Sequence, residues 1–235
     1  MSDDANATDV PDAKAPAAVD AGAAQAAKAP RVNDSEQTKR DIIAVATEEF
    51  ASKGLAGARI DEIAARTRTS KRMIYYYFGG KEGLYVAVLE QAYRDIRHIE
   101  HDLDVDHLPP EQALAELTRF SFDRHADNPS FVRLVCNENL HHGRFVAQSA
   151  QIQALNVPAI ETIRRIVERG KRERVFRGDV DTVDLHMTIS ALCFYNVSNR
   201  YTFATIFKVD MTSPSALAAR RESVVATVLA SVRPR

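Results

Sequence analysis

Two short helical stretches joined by a tight turn, within residues 54–84, constrain the fold of this chain more than any other feature. Apolar residues at helical spacing predict a short helix at about Asp61–Arg66, and Ser70 begins a second helix that reaches Phe78. A serine at this position can offer its hydroxyl oxygen to the free amides at the start of a helix. Because Ala64 is small, the two helices can cross closely, which is typical of a helix-turn-helix.

The same stretch concentrates positive charge. The whole chain has 31 Lys and Arg against 32 Asp and Glu, a net charge of −1, which excludes a uniformly basic coat protein for nucleic acid. Residues 63–81 nevertheless contain five basic residues and no acidic one. Lys71, Arg72, Tyr75 and Tyr76 share one face of the second helix, where they suit contacts with phosphates and base edges. Each feature alone also fits a solvated face or a packing cluster, but their order and spacing together favour DNA binding.

Helical patterns fill the rest of the chain, so we predict an all-α protein of about nine helices. Residues 1–33 are rich in Ala, Pro and Asp and are predicted to be a disordered tail. Residues 34–80 form the predicted helix-turn-helix domain, which Asp34 and Gln37 would open as a capping box, and residues 81–235 form a helical second domain. The predicted helices outside the helix-turn-helix lie at 37–53, 81–105, 111–127, 130–140, 145–170 with a kink at Pro158, 182–207, and 214–232.

The helix-turn-helix segment resembles the DNA-binding domain of TetR-type transcriptional regulators. The resemblance extends from Gln37 to Val88, and its motifs are Ile63-Ala64, Ser70, Tyr75 with Phe78, and the run 81–84, Lys-Glu-Gly-Leu. It implies a recognition helix at 71–77, with Tyr75, Tyr77 and Lys81 on phosphates and with Lys71 and Arg72 near bases or phosphates. The residues predicted to bind DNA are Arg59, Arg68, Thr69, Ser70, Lys71, Arg72, Tyr75, Tyr76, Tyr77 and Lys81.

Two positions depart from the family pattern. Arg68 stands where the family often has glycine, which costs about 1 kcal/mol if the turn requires a positive φ. Arg59 stands where Thr or Ser is common, so it can contact a phosphate but cannot supply a capping oxygen. We expect the extra cation of Arg68 to compensate through the DNA backbone.

The family resemblance also implies a homodimer built on the last two helices and a small-molecule site in residues 81–235. Small and apolar residues on the last two long helices predict a dimer interface, although such stripes also fit the core of a single chain. The predicted interface residues are Met187, Ala191, Phe194, Ser198, Tyr201, Val224, Val225 and Val228. Polar residues on apolar faces predict ligand contacts, with an arginine suited to a carboxylate. The predicted ligand-binding residues are Asn137, Asn139, His141, Arg144, Asn196, Asn199, Arg200 and Phe203.

The sequence argues against several other classes of protein. It has no phosphate-binding loop, nucleophile elbow or zinc-protease motif, so we expect no enzyme and no cofactor. His98, His101 and His107 could chelate a metal, but their acidic neighbours favour a solvated helix end, and we predict no metal site. Two cysteines without a disulfide pattern, together with no apolar run long enough to span a membrane, indicate the cytoplasm.

Together these observations predict a dimeric, one-component repressor that binds a palindromic DNA operator and is released by a small-molecule effector. A carboxylate or an aromatic catabolite fits the predicted pocket. Two alternatives stay open. One is a DNA-binding regulator of the same fold without a small-molecule signal. The other is an all-α ligand-binding or catalytic protein whose basic segment is incidental.

Overall fold

The computed structural model describes the backbone of residues 32–101, 103–155 and 157–234, and the side chains of 35–97, 103–155 and 160–234. These ranges contain helices and turns but no β-strand, which confirms the all-α prediction. No helix within them is long and apolar enough to cross a membrane. The predicted tail 1–33 lies outside the described residues, except for its last two residues, which begin the first helix.

The described chain forms eleven α-helices and one 3-10 turn, where the sequence predicted about nine helices. The predicted helix 182–207 divides at Asn199, whose φ of −109° and ψ of 2° are not helical. The segment 145–170 divides into the 3-10 turn Val146–Gln148 and two helices, and Pro158 lies in the first turn of the second, where no amide donor is needed. The helices are α1 Val32–Gly57, α2 Ile60–Arg66, α3 Lys71–Phe78, α4 Lys81–His101, α5 Pro110–Asp127, α6 Pro129–Leu140, α7 Ala150–Leu155, α8 Val157–Arg172, α9 Thr182–Ser198, α10 Arg200–Phe207 and α11 Pro214–Val232.

Local signals in the sequence account for most helix ends. Gly54 adopts a φ of 67° and kinks α1, as the predicted helix end there requires. The Ser213 hydroxyl accepts a hydrogen bond from the Ala216 amide at 3.3 Å, and Pro214 follows in the first turn of α11. The capping box predicted at Asp34 is wrong, because α1 already begins at Val32 and the Gln37 side chain bonds to Asp41 instead.

Two hydrophobic cores organise the described chain. The head core is formed by α1–α4, but it also includes Leu134 of α6, Phe145 before the 3-10 turn and Ile152 of α7. The C-terminal core is formed mainly by α5, α8, α9 and α11. Helix α6 packs against α1 and α4, and α7 packs against α4, so a displacement of α6 or α7 can shift the helices that flank the helix-turn-helix.

A buried carboxylate joins α6 to the loop that follows it. Glu138 is 4% exposed, and its Oε1 accepts hydrogen bonds from the backbone amides of Phe145 at 2.7 Å and Val146 at 2.9 Å. The Tyr85 ring of α4 packs edge-on against the Phe145 ring, with centroids 5.2 Å apart. Burial, followed by the nearby Glu138 carboxylate, raises the pKa of the Tyr85 hydroxyl far above its usual range. This junction fixes the loop against α4, the helix that leads out of the helix-turn-helix.

Gly170 of α8 is expected to tolerate no side chain. A Cβ there would overlap the ring of Phe176, which is 3% exposed in the C-terminal core. At an exposed helix position, alanine is more stabilising than glycine. Gly170→Ala should instead lower the free energy of unfolding, measured with urea, by about 1–3 kcal/mol. Gly178→Ala is the control, since a Cβ at Gly178 meets nothing within 4 Å. Equal stability of the two variants would contradict this packing.

Candidate nucleic-acid interface

The helix-turn-helix packs as the sequence predicted. Ile63 and Ala64 of α2 and Ile74 of α3 are buried, with 0%, 6% and 0% of their surface exposed. Ile60 and Phe78 pack against the same core from its edge. Burial of these side chains holds α3 across α2 and leaves the opposite side of α3 facing outward.

The turn between α2 and α3 is short and held by hydrogen bonds. The Thr67 hydroxyl donates to the Ile63 carbonyl at 2.8 Å, and the Thr69 amide donates to the Ala64 carbonyl at 3.0 Å. The Ser70 hydroxyl accepts from the Met73 amide at 3.3 Å, which confirms Ser70 as the cap of α3. Arg68 has a φ of 52°, so the turn does place a non-glycine residue in the left-handed region.

The outward face of α3 carries the predicted DNA-binding side chains. Lys71 and Arg72 are exposed, and Tyr75 and Tyr76 expose 53% and 78% of their surface. Tyr77 is half-buried, and its ring packs edge-on against the neighbouring rings, 5.4 Å from Tyr76. The structure thus leaves Tyr75 and Tyr76 more accessible than Tyr77, although the family pattern had emphasised Tyr75 and Tyr77.

Ion pairs neutralise part of the positive charge that the sequence concentrates here. Arg66 pairs with Glu48 of α1, and Lys71 pairs with Asp61 of α2. Arg68 and Arg72, by contrast, form no ion pair with any residue that the structure describes. Both are exposed, which leaves their guanidinium groups available for phosphates or bases.

The start of α4 provides a further site for a phosphate. Gly79 and Gly80, with φ of 73° and 144°, turn the chain sharply from α3 into α4. A glycine offers no side chain to cap the helix, so the first amides of α4 are open to an anion. The Lys81 ammonium donates to the Ala56 carbonyl at 3.2 Å, which ties this end of α4 to the C-terminal end of α1.

Two further cations, Arg59 and Lys39, lie at the edges of this DNA-binding surface. Arg59 is exposed and precedes α2 without a side-chain cap, while its amide donates to Glu49 at 3.2 Å. Lys39 of α1 was not predicted, because it lies far along the chain from α3. Its ammonium nevertheless lies 5.5 Å from the centroid of the Tyr77 ring. The hydrogen bond to Glu36 raises the pKa of Lys39, so the group is charged at neutral pH.

Replacing Arg68 with glycine should separate stability from DNA affinity. Arg68→Gly removes the cost of a positive φ and should stabilise the protein by about 1 kcal/mol in urea unfolding. It also removes a cation, so DNA affinity should fall and the dependence of log affinity on log salt should flatten by about one unit. Arg68→Ala is the control, since it should show the DNA effect without the gain in stability. A glycine variant less stable than the wild type would contradict the strained turn.

The predicted ligand-binding residues fall into two groups. The first group lies where α6 and the loop after it meet helices of the head core. The Asn137 amide donates to the Phe50 carbonyl at 3.3 Å, and the Arg144 guanidinium is 3.4 Å from the Glu82 carboxylate of α4. His141 packs against Phe145, and Asn139 is exposed and bonds to the carbonyl of Val135 in its own helix. Helix and junction contacts thus use the side chains of Asn137, Asn139 and Arg144, and the ligand-binding role of this group stays a prediction.

The second group lies where α9 meets α10. Asn196, which is 4% exposed, and Arg200 line a cavity of about 40 Å³, a volume that suits a water molecule more than an organic ligand. Asn199 forms the break between the two helices, and its amide donates to the Ser198 hydroxyl at 2.7 Å. Phe203 does not line this cavity; its ring packs against Phe207 with centroids 4.5 Å apart.

The predicted dimer interface is partly corrected. Val224, Val225 and Val228 of α11 are 0%, 4% and 0% exposed, so they fill the interior of one protomer and cannot meet a second copy. Met187 is 62% exposed and Tyr201 is 60% exposed. Of the remaining predicted interface residues, the structure shows Ala191 exposed, and Phe194 and Ser198 half-buried.

No group of three or more His, Cys, Asp or Glu residues that could hold a metal ion is present among the described residues. The side chains of His98 and His101 lie outside the described part of the chain. Cys136 and Cys193 are unpaired, and burial raises the pKa of the Cys193 thiol to about 12. A reactive thiolate is therefore not expected at Cys193.

Comparison with known proteins agrees with this geometry. Residues 42–88 match the family model described as bacterial regulatory proteins of the tetR family, and residues 110–228 match a tetracyclin repressor-like C-terminal domain. The HTH-type transcriptional repressor NicS of Pseudomonas putida is 36% identical over 188 residues, which cover 80% of this chain and 89% of NicS. The repressor SCO4008 of Streptomyces coelicolor is 36% identical over 138 residues, or 58% of this chain and 68% of that protein.

Solved structures show the same architecture. SCO4942 from Streptomyces coelicolor superposes with a TM-score of 0.62 at 30% identity, covering 84% of this chain and 99% of that one. A regulatory protein of the tetR family from Rhodococcus RHA1 gives a TM-score of 0.66 at 20% identity, covering 85% and 98% of the two chains. These relatives carry the names of transcriptional regulators and not of enzymes. The chain belongs to the TetR family of bacterial regulators, and it is a DNA-binding transcriptional regulator.

Proposed function

We propose that this regulator is a homodimeric repressor that occupies a palindromic operator and is released by a small-molecule effector. The observation that carries the proposal is the outward face of α3 with the turn before it, where the accessible Tyr75 and Tyr76 lie beside Arg68 and Arg72, two cations without an ion pair among the described residues. Residues 34–80 would act as the reading domain and residues 81–235 as the effector-binding and dimerisation domain, in the cytoplasm where the operator lies. The names of the relatives support a regulatory role over an enzymatic one.

In the proposed complex, different residues of this surface contact the bases and the phosphates of DNA. Arg72 would reach base edges in the major groove, since a guanidinium can pair with guanine in two hydrogen bonds. Tyr75, Tyr76, Lys81 and the first amides of α4 would bind phosphates and fix the register of α3. The sequence-predicted Arg59, Arg68, Thr69, Ser70, Lys71 and Tyr77, together with Lys39, would complete the backbone contacts.

Exposed apolar side chains of α9 and α10 support the dimer. An extended apolar surface of this kind on one chain marks an association site, because water contact with it is unfavourable. Its members are Val183, Met187, Tyr195, Ile206 and Phe207, which are 47–68% exposed. The outward side of α11, which packs beside α9, carries Ala219, Ser223, Ala226 and Ala230, small enough for a partner helix to come close. A two-fold dimer would place two copies of α3 on two half-sites.

Release by an effector would use the shared apolar contacts between the two parts of the chain. Tyr93 of α4 packs against Phe131 of α6, and His125 of α5 lies between Phe131 and Phe194 of α9. This aromatic group joins helices of the head core to helices of the C-terminal core. A ligand that binds better when these helices separate would favour a different conformation of the dimer. In that conformation the two copies of α3 would no longer fit two successive major grooves of DNA.

DNA from the intergenic region upstream of the gene provides the test. Fluorescence anisotropy and sedimentation of the complex should show two protomers on one two-fold site, and one isolated half-site should bind far more weakly. A complex with a single protomer would contradict the dimeric reading head. Failure to bind any fragment of that region would contradict an operator in the DNA next to the gene.

A second candidate is a regulator of the same fold without a small-molecule signal. The cavity beside Asn196 and Arg200, at about 40 Å³, is far below the about 300 Å³ at which ligand pockets usually begin, which favours this alternative for that site. A wider groove of about 570 Å³ between α5 and α11, lined in part by Arg119 and Arg233, keeps room for an effector elsewhere. Operator release by a small molecule, measured in the anisotropy assay, would decide for the effector-responsive repressor.

A further inference from the structure

Two arginines from different helices converge on one tyrosine hydroxyl. The Nη2 of Arg133 on α6 lies 3.4 Å from the Oη of Tyr201, and the Nη2 of Arg200 lies 3.3 Å from the same oxygen. The Arg200 guanidinium also stacks over the Tyr201 ring, with 5.0 Å between its central carbon and the ring centroid. The sequence had placed Arg200 in a ligand site and Tyr201 in the interface, and it had not singled out Arg133.

Neither arginine has a carboxylate partner among the residues that the structure describes. Elsewhere in the C-terminal region arginines are paired with acids, as Arg119 is with Glu222 at 2.8 Å and Arg221 with Asp123 at 2.8 Å. Two guanidinium groups held at one oxygen repel each other, and neither forms an ion pair with a described carboxylate that would offset this repulsion. Such an arrangement favours the binding of an anion.

The remaining hydrogen-bonding capacity of the cluster consists of donors. The two arginines use both acceptor positions of the Tyr201 oxygen, so its O–H and the other guanidinium N–H groups point to a further acceptor. The arginines also lower the pKa of the Tyr201 hydroxyl, which makes it a better donor. A group that only accepts hydrogen bonds, such as a carboxylate, satisfies all of these donors.

The surroundings indicate an organic anion and not an inorganic one. The planar guanidinium groups suit the planar carboxylate, which they can bind through two parallel hydrogen bonds. Tyr201 is 60% exposed and offers the ring face that Arg200 does not cover, which suits an aromatic ligand body. We propose that Arg133, Arg200 and Tyr201 bind the carboxylate of an organic acid, and that this acid is the class of effector to which the proposed repressor responds.

Calorimetric titration of the full-length protein with benzoate, at fixed ionic strength, tests the site. Benzoate should bind at least about tenfold more tightly than benzamide, which has the same shape without the charge, and more tightly than inorganic phosphate. Arg133→Gln and Arg200→Gln should each weaken benzoate binding by about tenfold or more, and Tyr201→Phe by less. Arg172→Gln, which neutralises an exposed arginine of α8, should leave it unchanged.

Equal binding of benzoate and benzamide, or no benzoate binding, would overturn the proposal. Phosphate binding as tight as benzoate would overturn its organic part. A third outcome is that the wild type binds no benzoate and that Arg133→Gln self-associates more weakly than the wild type in sedimentation. The arginines would then bind a carboxylate of the second copy instead. The inference rests on the proposed function, so operator affinity is measured in parallel. Benzoate binding without any operator binding would refute the repressor while keeping the site. Benzoate binding that leaves operator affinity unchanged would refute its role as effector class.

Discussion

Replacing both Tyr75 and Lys81 with alanine should reduce operator affinity by about tenfold to a hundredfold, since each side chain is expected to hold a phosphate. Tyr75 is 53% exposed on α3, and Lys81 opens α4 at the point where backbone amides also face outward. Neither change should unfold the helix-turn-helix, because neither side chain belongs to its buried core. The loss should appear equally with specific and non-specific DNA, because phosphates carry no sequence information.

The salt dependence separates the two side chains. Lys81→Ala should lower the slope of log affinity against log salt by about one unit, whereas the neutral Tyr75 should leave the slope unchanged when it is lost. Lys171→Ala is the matched control, because Lys171 pairs with Glu168 on α8, away from the reading surface. Electrophoretic shift assays at several salt concentrations measure both effects. Undiminished affinity of the double variant at low salt would show that DNA lies on another face.

The elements of this surface that follow from local rules could be predicted from the sequence. A serine before a helix, a glycine after one, and apolar residues at a spacing of three and four each act over a few residues. Ser70 as a cap, the kink at Gly54 and the burial of Ile63 against Ile74 are examples. Tertiary contacts hardly alter such signals, so the helix-turn-helix could be placed within a residue or two.

Contacts between distant residues could not be predicted in the same way. The net charge of the segment 63–81 suggested five available cations, but Arg66 and Lys71 are paired with acids outside the segment. Lys39 lies near the Tyr77 ring only because the fold brings a long side chain of α1 within reach of a ring on α3. One sequence does not record such crossings, since periodicity fixes which face of a helix is apolar but not which element covers it.

The same ambiguity explains the error on α11. Its valines form an apolar stripe that a second copy or the same chain could cover, and the C-terminal core covers it. The residues left outward on α11 are small, a weaker signal than a row of valines. The role of the polar residues was ambiguous for a related reason, since the sequence does not show which element each side chain contacts. Asn137 and Arg144 bond to helices of the head core, whereas Asn196 and Arg200 lie where α9 meets α10.

Glu138→Ala should produce the largest loss of stability, about 3 kcal/mol, because two charge-assisted hydrogen bonds are lost together. The carboxylate is buried, and its Oε1 accepts from the amides of Phe145 and Val146 at 2.7 and 2.9 Å. Alanine would leave both amides without a partner, and the Phe145 amide lies in a buried residue of the head core. Glu138→Gln keeps an acceptor oxygen in place, so it should cost less than alanine.

Urea unfolding at a fixed protein concentration measures this effect, with Glu168→Ala as a control for an exposed glutamate on a helix. A loss below about 1 kcal/mol for Glu138→Ala would mean that water replaces the carboxylate and that the loop is not held by it.

The loop contacts α4 through Arg144 and Glu82, and Phe145 packs on Tyr85 of the same helix. Glu138→Gln should therefore retain operator binding but alter its release by an effector, because the loop holds α4 to α6, and α6 in turn packs against α5 and α9 of the C-terminal core. Identical release curves for Glu138→Gln and the wild type would place the coupling elsewhere in the chain.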